Sequence, residues 1–600
     1  MKGIAIGLSN NSKEILKRLK KTEFVKDIYI AGSSKEDGKE NELIQVQKPR
    51  EILLKKWPKI DLIIFIGSIA ASIRIINPFL TSKDQDPGVI VIDNKCSKIV
   101  PLIGLHQSNT QNIACQIANL FDGEIIETNN SNDQSFLNLD AFGNQWGWKR
   151  SGKINDWSKL VIKQAKNEKI FCKQLSGNSL WKTSESAEII NQIDKKETEK
   201  LNSTFHVSIF ENHGTTWHPP VLWIGIGCER NTSKELIANS LNNLLESGNL
   251  SQQSIAGFAT IDIKKDEKGI LELSEEKNLP IKFFSKEDLS TIIVPNPSNV
   301  VQKEIGTPSV AEASCLLAAG EESKLLEEKK IFKNQSGAVT IALAESKNQY
   351  NPTHGEIHII GSGPGDISFL TNNARKALSR CTVWIGYKMY LDLIKPIKRN
   401  DQVLIESKLT EEKERCSKAI KLAEEGIKVA LISSGESGFY GMAGLLLELL
   451  QKIKKEYRPY FEVHPGISSV QLAAAISGAP LMNDFCSVSL SDKLTPWSLI
   501  EKRIKGALMG DFVIALFNPQ SIERNWQLKS VIDICLQSRH GDTPVLLARQ
   551  VGRENQTKKF FTLNTIPFKE IDMLSIIIIG NSQTTLVDEI FLTPRGYLQN

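Results

Sequence analysis

The chain has 600 residues, of which 40% are hydrophobic and 24% are charged. This length exceeds what one core normally supports, so we expect about three to five domains. The composition excludes a wholly disordered, collagen-like or disulfide-rich protein. The net charge is only +5, from 74 Lys and Arg against 69 Asp and Glu. This small excess excludes the broad basic surface typical of nucleic-acid binding, whereas a small anionic substrate stays open.

The N-terminal segment predicts a strand that opens a domain rather than an export signal. The sequence MKGIAIGLSN lacks the basic region and the long apolar stretch of a signal peptide. The most membrane-like segment, residues 62–80, contains Arg74 and Pro78, so a spanning helix would carry a charge near its middle. The nine scattered cysteines include no C-x-x-C pair, which suits a reducing compartment. We therefore expect a cytoplasmic protein that does not span or bind a membrane.

Short β-branched runs recur along the chain and alternate with helical stretches. Runs such as 63–66, 222–227, 429–433 and 575–580 are bounded by Gly, Asp or Pro. Such runs are typical of strands that are buried on both faces in α/β layers. The sequence therefore predicts a multidomain α/β fold.

Polar stretches without periodicity predict the domain boundaries. They lie near residues 128–135, 211–220 and 346–355, where Asn, Ser, Gly and Pro accumulate. We expect six parts along the chain. Residues 1–130 form an α/β domain, residues 131–217 a central segment and residues 218–347 a second α/β domain. Residues 348–355 form a linker, and residues 356–466 and 467–600 form two further α/β subdomains.

A glycine-rich turn follows the strand predicted at residues 357–361. The turn reads G-S-G-P-G-D from Gly361 to Asp366, which differs from the dinucleotide G-x-G-x-x-G and from the P-loop. Thr371 is a candidate N-cap for the helix that follows. Taken alone, a tight structural turn and a ligand-binding loop explain this segment equally well.

Six further motifs accompany that turn, and together they are specific. They are I-G-Y-K-M-Y-L-D-L-I from 385, S-S-G-E-S-G-F-Y-G-M-A-G from 433, P-G-I-S-S from 465, S-V-S-L-S-D-K-L-T-P-W from 487, F-N-P-Q from 517 and T-P-R-G-Y from 593. This half resembles the tetrapyrrole (corrin/porphyrin) methylase family and, within it, the ring-contracting precorrin-3B C-17 methyltransferases of cobalamin synthesis. The elements that begin at 385 and 487 separate this subgroup from the family's diphthine and ribosomal-RNA methylases.

The resemblance implies two α/β domains with S-adenosylmethionine in the cleft between them and a tetrapyrrole above it. Methyl transfer from a sulfonium to carbon requires positioning and exclusion of water, so backbone-exposing loops are the expected equipment. The resemblance places four residues against the tetrapyrrole, namely Gly363, Pro364, Gly365 and Asp366. Asp366 is also a candidate catalytic residue. Around the cofactor the resemblance places Ser434, Gly435, Gly438, Tyr440, Gly441, Met442, Ser468, Ser469 and Arg549. Packing alone also explains the glycines, Tyr440 and Met442.

Basic side chains are candidates to bind the carboxylates of a precorrin. Besides Arg549, they are Lys388, Lys493, Arg553 and Arg595; each is also explained as solvated surface charge. Two motifs depart from the subgroup: Glu436 stands where G-D-x-G has Asp, and Asn483 stands where the subgroup has His. The second change removes a group that could act as acid or base near neutral pH.

The N-terminal half, roughly residues 1–345, resembles the cobalt-precorrin-5A hydrolases of cobalamin synthesis. The resemblance rests on the segments 61–106 and 224–340, which include G104-L-H, I224-G-I-G and G306-T-P-S-V-A-E-A. It implies opening of a δ-lactone with release of acetaldehyde, for which the chain offers three candidate groups, His106, Asp93 and Glu312. His106 is equally well explained as a structural histidine. The glycines and hydroxyls of Gly225, Gly227, Thr232 and Ser233 suit either a carboxylate site or a plain helix cap.

The loop at residues 104–112 departs from the hydrolase pattern S-G-H-x-G-G-A-N, because Ser108 and Asn109 replace paired glycines. Neither half shows a metal-ligand pattern, so we expect cobalt only as part of the substrate. The first hypothesis is a bifunctional enzyme that joins methylation to lactone opening. The second is a methyltransferase whose N-terminal half only binds or assembles, and the third is a methylase that acts on protein or RNA. The resemblance leaves room for a homodimer formed through the methylase half.

Overall fold

The computed structural model describes residues 3–22, 24–32, 44–81, 86–104, 110–126, 137, 139–192, 203–211, 214–335, 337–521 and 524–597. The chain divides into two compact units, Met1–Gln134 and Ser135–Asn600.

The first unit is built on one mostly parallel sheet with the strand order β3-β2-β1-β4-β5-β6-β7. Its elements are β1 (Gly3–Gly7), α1 (Lys13–Lys20), β2 (Asp27–Ala31), β3 (Ile44–Gln47), α2 (Pro49–Lys56), β4 (Leu62–Ile66), α3 (Ile69–Ile76), β5 (Gly88–Ile92), β6 (Lys98–Ile103), α4 (Thr110–Phe121) and β7 (Glu124–Ile125). Strands β1, β4 and β5 are buried along their whole length, because a hydrophobic core lies on each face of the sheet.

The second unit opens with a small domain whose core is rich in tryptophan. Its sheet has the order β10-β9-β11-β12-β8, with the elements β8 (Lys149–Ser151), α5 (Ile154–Ala165), β9 (Ile170–Gln174), β10 (Ile190–Gln192), β11 (Thr204–Val207) and β12 (Thr216–His218). The Phe142 ring lies 5.3–5.7 Å from the rings of Trp148, Trp181 and Trp217. Aromatic packing of this kind gives a small domain a large buried area.

A third sheet follows with the order β15-β14-β13-β17-β16. Its elements are β13 (Leu222–Cys228), α6 (Lys234–Ser247), β14 (Ile255–Ile261), α7 (Lys268–Lys277), β15 (Ile281–Phe284), α8 (Lys286–Ser290), α9 (Asn299–Glu304), α10 (Ala311–Ala319), β16 (Lys324–Asn334) and β17 (Gly337–Glu345). Helix α10 packs so closely on β13 that a Cβ on Gly225 would lie 1.8 Å from the Ala311 carbonyl oxygen.

The next subdomain has an entirely parallel sheet with the order β20-β19-β21-β18-β22. Its elements are β18 (Glu356–Gly361), α11 (Asn372–Arg380), β19 (Val383–Tyr387), α12 (Lys388–Ile394), β20 (Val403–Ser407), α13 (Glu412–Glu424), β21 (Lys428–Ser433), α14 (Met442–Gln451) and β22 (Tyr460–His464). A parallel order of this kind gathers the carboxyl ends of all five strands at one edge.

The last subdomain holds a mixed sheet with the order β24-β25-β28-β26-β27 and a small sheet with the order β23-β30-β29. The elements are α15 (Ser469–Ser477), β23 (Gly478–Ala479), β24 (Phe485–Ser489), α16 (Trp497–Met509), β25 (Val513–Phe517), α17 (Gln527–Leu536), β26 (Pro544–Arg549), β27 (Thr557–Thr562), β28 (Ser575–Ile579), β29 (Thr585–Val587) and β30 (Ile590–Leu592). Strands β24, β25 and β26 end at the same edge, because β28 runs antiparallel between β25 and β26.

The tryptophan-rich domain and the sheet of β18 to β22 share one continuous hydrophobic core. Gln349 is buried where they meet. Its amide donates hydrogen bonds to the carbonyl oxygens of Trp146 and Glu425, both at 2.7 Å, and its carbonyl oxygen accepts one from the Trp148 indole at 2.7 Å. The segment expected as a linker is therefore packed into the fold at this residue.

The α/β fold class predicted from the sequence is confirmed by these sheets. Within the described ranges, no helix is long and apolar enough to cross a membrane.

Replacing Gln349 with alanine tests the shared core. The change leaves two buried carbonyls and one indole N–H without partners, so we expect it to lower the free energy of unfolding by about 2–4 kcal/mol. Urea denaturation followed by tryptophan fluorescence measures this loss. The control is Asn348→Ala at an exposed neighbouring position, where the change should stay within about 0.5 kcal/mol. Equal midpoints for the two variants would contradict the role of Gln349.

Candidate functional site

Three glycine loops meet at the carboxyl edge of the parallel sheet, after β18, β21 and β22. The Gly363 N–H donates to the Gly435 oxygen at 3.2 Å, and the Gly435 N–H donates to the Gly363 oxygen at 2.8 Å. Both residues have positive φ, +76° and +65°. A Cβ on Gly466 would lie 2.1 Å from the Gly435 oxygen and 2.6 Å from the Gly361 oxygen. The three loops thus pack backbone to backbone, which only glycine allows.

Glu436 joins two of these loops. Its carboxylate accepts hydrogen bonds from the Gly466 N–H at 2.7 Å and from the Gly438 N–H at 2.9 Å. From the sequence alone, the Glu436 substitution has no assigned role. Here the side chain ties the loop after β21 to the loop after β22. Asn483, the second departure, accepts a bond from the Asp484 N–H next to it at 2.9 Å.

Tyr440 connects the two subdomains across the cleft. Its hydroxyl donates to the Ser487 carbonyl oxygen in β24 at 3.0 Å, and its ring lies 5.3 Å from the ring of Phe517 at the end of β25. Its φ is +57°, a conformation that non-glycine residues rarely adopt and that is concentrated at functional sites. The residue is 53% exposed. The tyrosine therefore spans the cleft and still presents surface to a ligand.

The other residues predicted in the loop after β21 lie around the same turn. Ser434 is half-buried, and Gly438 is exposed. A Cβ on Gly441 would come within 2.5 Å of the Ser437 carbonyl oxygen, so Gly441 has a packing role. Met442 is buried at the start of α14, as the packing alternative predicts.

Ser468 and Ser469 begin helix α15, and Arg549 ends strand β26. Ser468 is the N-cap residue, and its Cα lies 3.8 Å from the position that a Cβ on Gly435 would take. Arg549 makes two bonds to the Asp572 carboxylate, at 2.8 and 2.7 Å. The bond to Asp572 raises the pKa of the Arg549 guanidinium. The structure therefore holds Arg549 in an ion pair within its own subdomain.

A cavity of about 890 Å³ opens at the carboxyl ends of β19 and β20. Lys388 lines it, paired with Glu406 at 3.0 Å and with Asp392 at 3.5 Å. Its charged lining comprises two lysines and three acids, Lys388, Lys408, Asp392, Glu406 and Glu411. Acidic groups therefore offset the positive charge that was expected to bind carboxylates.

Arg553 links this cavity to the first glycine loop. Its guanidinium lies 3.0 Å from the Met389 sulfur and 3.5 Å from the Pro364 carbonyl oxygen. A Cβ on Gly365 would come within 2.0 Å of the Gly552 oxygen. The structure thus brings together Arg553, Pro364 and Gly365, all predicted to bind substrate.

Asp366 is exposed and accepts a hydrogen bond from the Ser368 N–H at 2.7 Å. Hydrogen bonding to Ser368 lowers the pKa of the Asp366 carboxyl. Lys493 and Arg595 are also exposed; they follow β24 and β30 in the last subdomain.

The loops fit the S-adenosylmethionine that the resemblance implies. A Cβ on Gly435 would lie 3.8–3.9 Å from atoms of Ser468, Ile467 and Ser469, which is ordinary van der Waals contact, so the loop after β21 packs against the start of α15 there. The buried Ser437 hydroxyl, two residues on, has no hydrogen-bond partner among the described residues. Glycine loops that carry no side chain to block approach, beside a buried hydroxyl with no partner in the described part of the chain, suit a polar ligand that lies close to the main chain.

In the first unit, Asp93 belongs to the turn after β5. Its carboxylate accepts bonds from the Lys98 N–H at 2.8 Å and the Ser97 hydroxyl at 2.9 Å. Burial opposes ionisation, but these hydrogen bonds lower the pKa of Asp93. His106 lies outside the described residues. Strand β6 is antiparallel to β5 and pairs Ile103 with Val89, so the chain leaves β6 at the opposite edge of the sheet from Asp93.

Glu312 is fully buried in the first turn of α10. One carboxylate oxygen accepts bonds from the Asn296 amide at 3.0 Å and the Lys329 N–H at 3.2 Å. The other oxygen is buried without a partner among the described residues. A buried carboxylate with a free oxygen is a candidate for acid or base chemistry.

The segment from Gly225 to Ser233 has structural uses. The Ser233 hydroxyl caps α6 by accepting a bond from the Leu236 N–H at 3.2 Å, and the Thr232 hydroxyl donates to the Glu229 oxygen at 2.9 Å. These contacts match the helix-cap alternative rather than a carboxylate site.

Family models match three parts of the chain. The model described as tetrapyrrole (corrin/porphyrin) methylases matches residues 356–567. The models described as cobalamin synthesis G N-terminal and cobalamin synthesis G C-terminus match residues 51–132 and 222–344.

Curated relatives match the C-terminal part. A probable cobalt-factor III C(17)-methyltransferase of Salmonella typhimurium is 44% identical over 241 residues, which are 40% of this chain and 99% of the relative. A cobalt-factor III methyltransferase of Priestia megaterium is 44% identical over 245 residues, again 40% of this chain but only 45% of the relative. Among solved structures, the methyltransferase CobJ is 32% identical with a TM-score of 0.39 and covers 40% of this chain and 100% of its own.

Replacing Gly466 with alanine tests the packing of the three loops. A Cβ at this position would force the loops apart, so we expect S-adenosylmethionine to bind at least about tenfold more weakly, a loss of about 1.4 kcal/mol. Isothermal titration calorimetry measures the affinity. Gly444→Ala in helix α14, where a Cβ meets no atom within 4 Å, is the control and should bind as the wild type does. Equal affinities for both variants would exclude Gly466 from the site.

Proposed function

This chain belongs to the tetrapyrrole (corrin/porphyrin) methylase family. On that premise we propose that it methylates a precursor of cobalamin at C-17 in a reaction that also contracts the macrocycle. The proposed substrate is cobalt-factor III or precorrin-3B, and the proposed methyl donor is S-adenosylmethionine. The product is the corresponding ring-contracted precorrin-4 species. The 44% identity to a cobalt-factor III C(17)-methyltransferase along 99% of that relative's length supports this assignment.

The observation that carries the proposal is the meeting of three glycine loops at the carboxyl edge of β18, β21 and β22. Ligands of open α/β sheets bind in the crevice outside the carboxyl ends of the strands. In this chain the paired loops of Gly363 and Gly435 lie at that edge, and Tyr440 reaches from them to Ser487 in β24. This arrangement favours a small ligand held close to the main chain over a protein or RNA surface.

The chemistry that we propose needs positioning rather than a protein nucleophile. S-adenosylmethionine, when bound, supplies a methyl group that an electron-rich carbon can attack directly. The residues of this chain hold the reactants in line and exclude water. Gly435 and Gly466 let the backbone approach the ligand, Glu436 keeps their loops in register, and Tyr440 joins the subdomains above them. Hydrogen bonding to Ser368 lowers the pKa of Asp366, so this residue is not suited to donate a proton at neutral pH, and its carboxylate can accept hydrogen bonds from the substrate.

Tetrapyrrole binding is assigned to the cavity beside these loops. Arg553 lies between the cavity and Pro364, where it can pair with a substrate carboxylate in two hydrogen bonds. Lys388 can also do so if it exchanges its partners Glu406 and Asp392 for the substrate.

For the N-terminal half we propose hydrolysis of the cobalt-precorrin-5A lactone. Water adds to the lactone carbonyl and the ring C–O bond breaks, which gives a carboxylate and a hydroxyl on the two-carbon fragment. Loss of the hydroxyl proton then breaks the C–C bond that joins this fragment to the macrocycle. The fragment leaves as acetaldehyde, and the macrocycle keeps the bonding electrons and takes up a proton. One buried oxygen of Glu312 has no hydrogen-bond partner in the part of the chain that the structure describes, which supports a role for this residue as the base. The matches to both cobalamin synthesis G models support the pathway. The altered sequence of the 104–112 loop instead favours a noncatalytic binding or assembly module. Acetaldehyde release by the wild type and by Glu312→Gln distinguishes this module from a hydrolase.

Gly435→Arg tests the methyltransferase assignment. The arginine side chain would enter the space beside Ser468 at a position with positive φ, so we expect no detectable methyl transfer from labelled S-adenosylmethionine to cobalt-factor III. Gly506→Arg, at an exposed position in α16 with no atom within 4 Å of a Cβ, is the matched control and should retain wild-type transfer. Wild-type transfer by Gly435→Arg would place the donor site elsewhere.

Glu312→Gln tests the hydrolase assignment. Loss of the base should reduce acetaldehyde release from cobalt-precorrin-5A by at least about 100-fold and leave methyl transfer unchanged. Enzymatic detection of acetaldehyde under anaerobic conditions gives the rate. Glu321→Gln, at an exposed position in the same unit, should match the wild type, whereas His106→Ala should resemble Glu312→Gln if His106 is also required. A wild-type chain that releases no acetaldehyde would support the binding or assembly module instead.

A further inference from the structure

Two histidines far apart in the sequence meet at the edge of the methylase sheet, in the strands that lead into the glycine loops. His358 lies in β18 and His464 ends the neighbouring edge strand β22. The Nδ1 atom of His358 is 2.9 Å from the Nε2 atom of His464. A carboxylate oxygen of Glu462 lies 3.9 Å from the first nitrogen and 3.8 Å from the second. Both histidines are buried, and Glu462 is exposed.

A second carboxylate fixes the orientation of His358. The Nε2 atom of His358 is 2.8 Å from Glu356, which also pairs with Lys428 at 2.6 Å. Because the Glu356 carboxylate pairs with the Lys428 ammonium and accepts hydrogen bonds, its contact with His358 places the ring proton on Nε2 and leaves the lone pair of Nδ1 directed at His464. A carboxylate behind a histidine is the usual support of a metal-binding imidazole.

We propose that His358, His464 and Glu462 bind a divalent transition-metal ion of the zinc type. At the usual Zn–N and Zn–O lengths, the ligand atoms of a tetrahedral site lie about 3.3–3.5 Å apart. The three separations here are 2.9, 3.8 and 3.9 Å. Shifts of about half an ångström would place all three atoms around one ion, within the range of a side-chain rotation. This ligand set of two imidazoles and one carboxylate leaves a fourth position for water.

Access and charge are compatible with an ion. The Glu462 side chain is 46% exposed, so an ion can enter from the solvent side of the edge strand. Two cations face the cluster: Lys428 pairs with Glu356, and Arg380 lies 3.6 Å from Glu356. The carboxylates of Glu356 and Glu462 offset these two charges. The bound ion would fix the end of β22 directly before Pro465 and Gly466, where the third glycine loop begins.

This site goes beyond the proposed function, and its test does not depend on methyl transfer. The untagged full-length chain is stripped with EDTA and titrated with ZnCl₂ by calorimetry. We expect one equivalent to bind, and we expect Glu462→Gln and His464→Gln each to weaken binding at least about tenfold. The control is His540→Gln, which removes an exposed histidine 3.4 Å from Asp542 and should leave the affinity unchanged.

Two results would overturn the proposal. One is a wild-type chain that binds no zinc. The other is a Glu462→Gln variant that binds zinc as tightly as the wild type, which would leave the histidines as a hydrogen-bonded pair only. Glu462 is exposed, so circular dichroism of its isosteric variant should match the wild type, and this variant decides the question even if His464→Gln does not fold.

Discussion

The candidate site of this protein depends on one constraint, the direct backbone contact among the loops that follow β18, β21 and β22. Gly363 and Gly435 bond to each other through both of their peptide groups, and Gly466 has no room for a side chain against them. These contacts fix the floor of the cleft. Glu436 then bonds two of the loops together, and Tyr440 joins this floor to the second subdomain. The cradle is therefore made of main chain, and side chains set its position.

The methylase half does not stand apart from the rest of the second unit. The tryptophan-rich domain shares its core with the sheet that bears the glycine loops, and Gln349 bonds to both. Lys282 of the third sheet extends this connection, because its ammonium lies 4.2 Å from the Trp223 ring and 4.4 Å from the Tyr350 ring. Burial lowers the pKa of Lys282 to about 8. The fusion thus places the methylase sheet in contact with the preceding domains through apolar and aromatic packing.

Local patterns in the sequence predicted the parts of the fold that depend on local chemistry. The β-branched runs at 63–66, 429–433 and 575–580 lie in β4, β21 and β28, because buried strands require such residues wherever they pair. The glycine turns were also predicted from the sequence, since positive φ favours glycine. The resemblance of the motifs to known families is confirmed by the family matches. No local pattern indicates that β6, β17 and β28 run antiparallel to a neighbour, because strand direction is set by pairing between segments that are far apart in the sequence.

The candidate site was predicted only where residues lie within one motif. The meeting of His358 with His464 joins residues 106 positions apart, and no local spacing indicates it. The bond from Glu436 to Gly466 is hidden for the same reason, although the departure from the subgroup's aspartate marked the position. Asp93 is an example of a residue that one motif marks as a catalytic candidate because it follows a strand. In the structure, its carboxylate accepts hydrogen bonds from Ser97 and Lys98 within the turn after β5. A residue type at a strand end indicates a site only when its partners are known.

The most direct test of the central claim is the position of the transferred methyl group. The full-length chain is incubated anaerobically with cobalt-factor III and S-adenosylmethionine labelled with ¹³C in the methyl group, and the product is examined by ¹³C NMR. The account predicts one labelled methyl at C-17 of a ring-contracted macrocycle. A label at another carbon, or no labelled product from a folded chain that binds the donor, would contradict it.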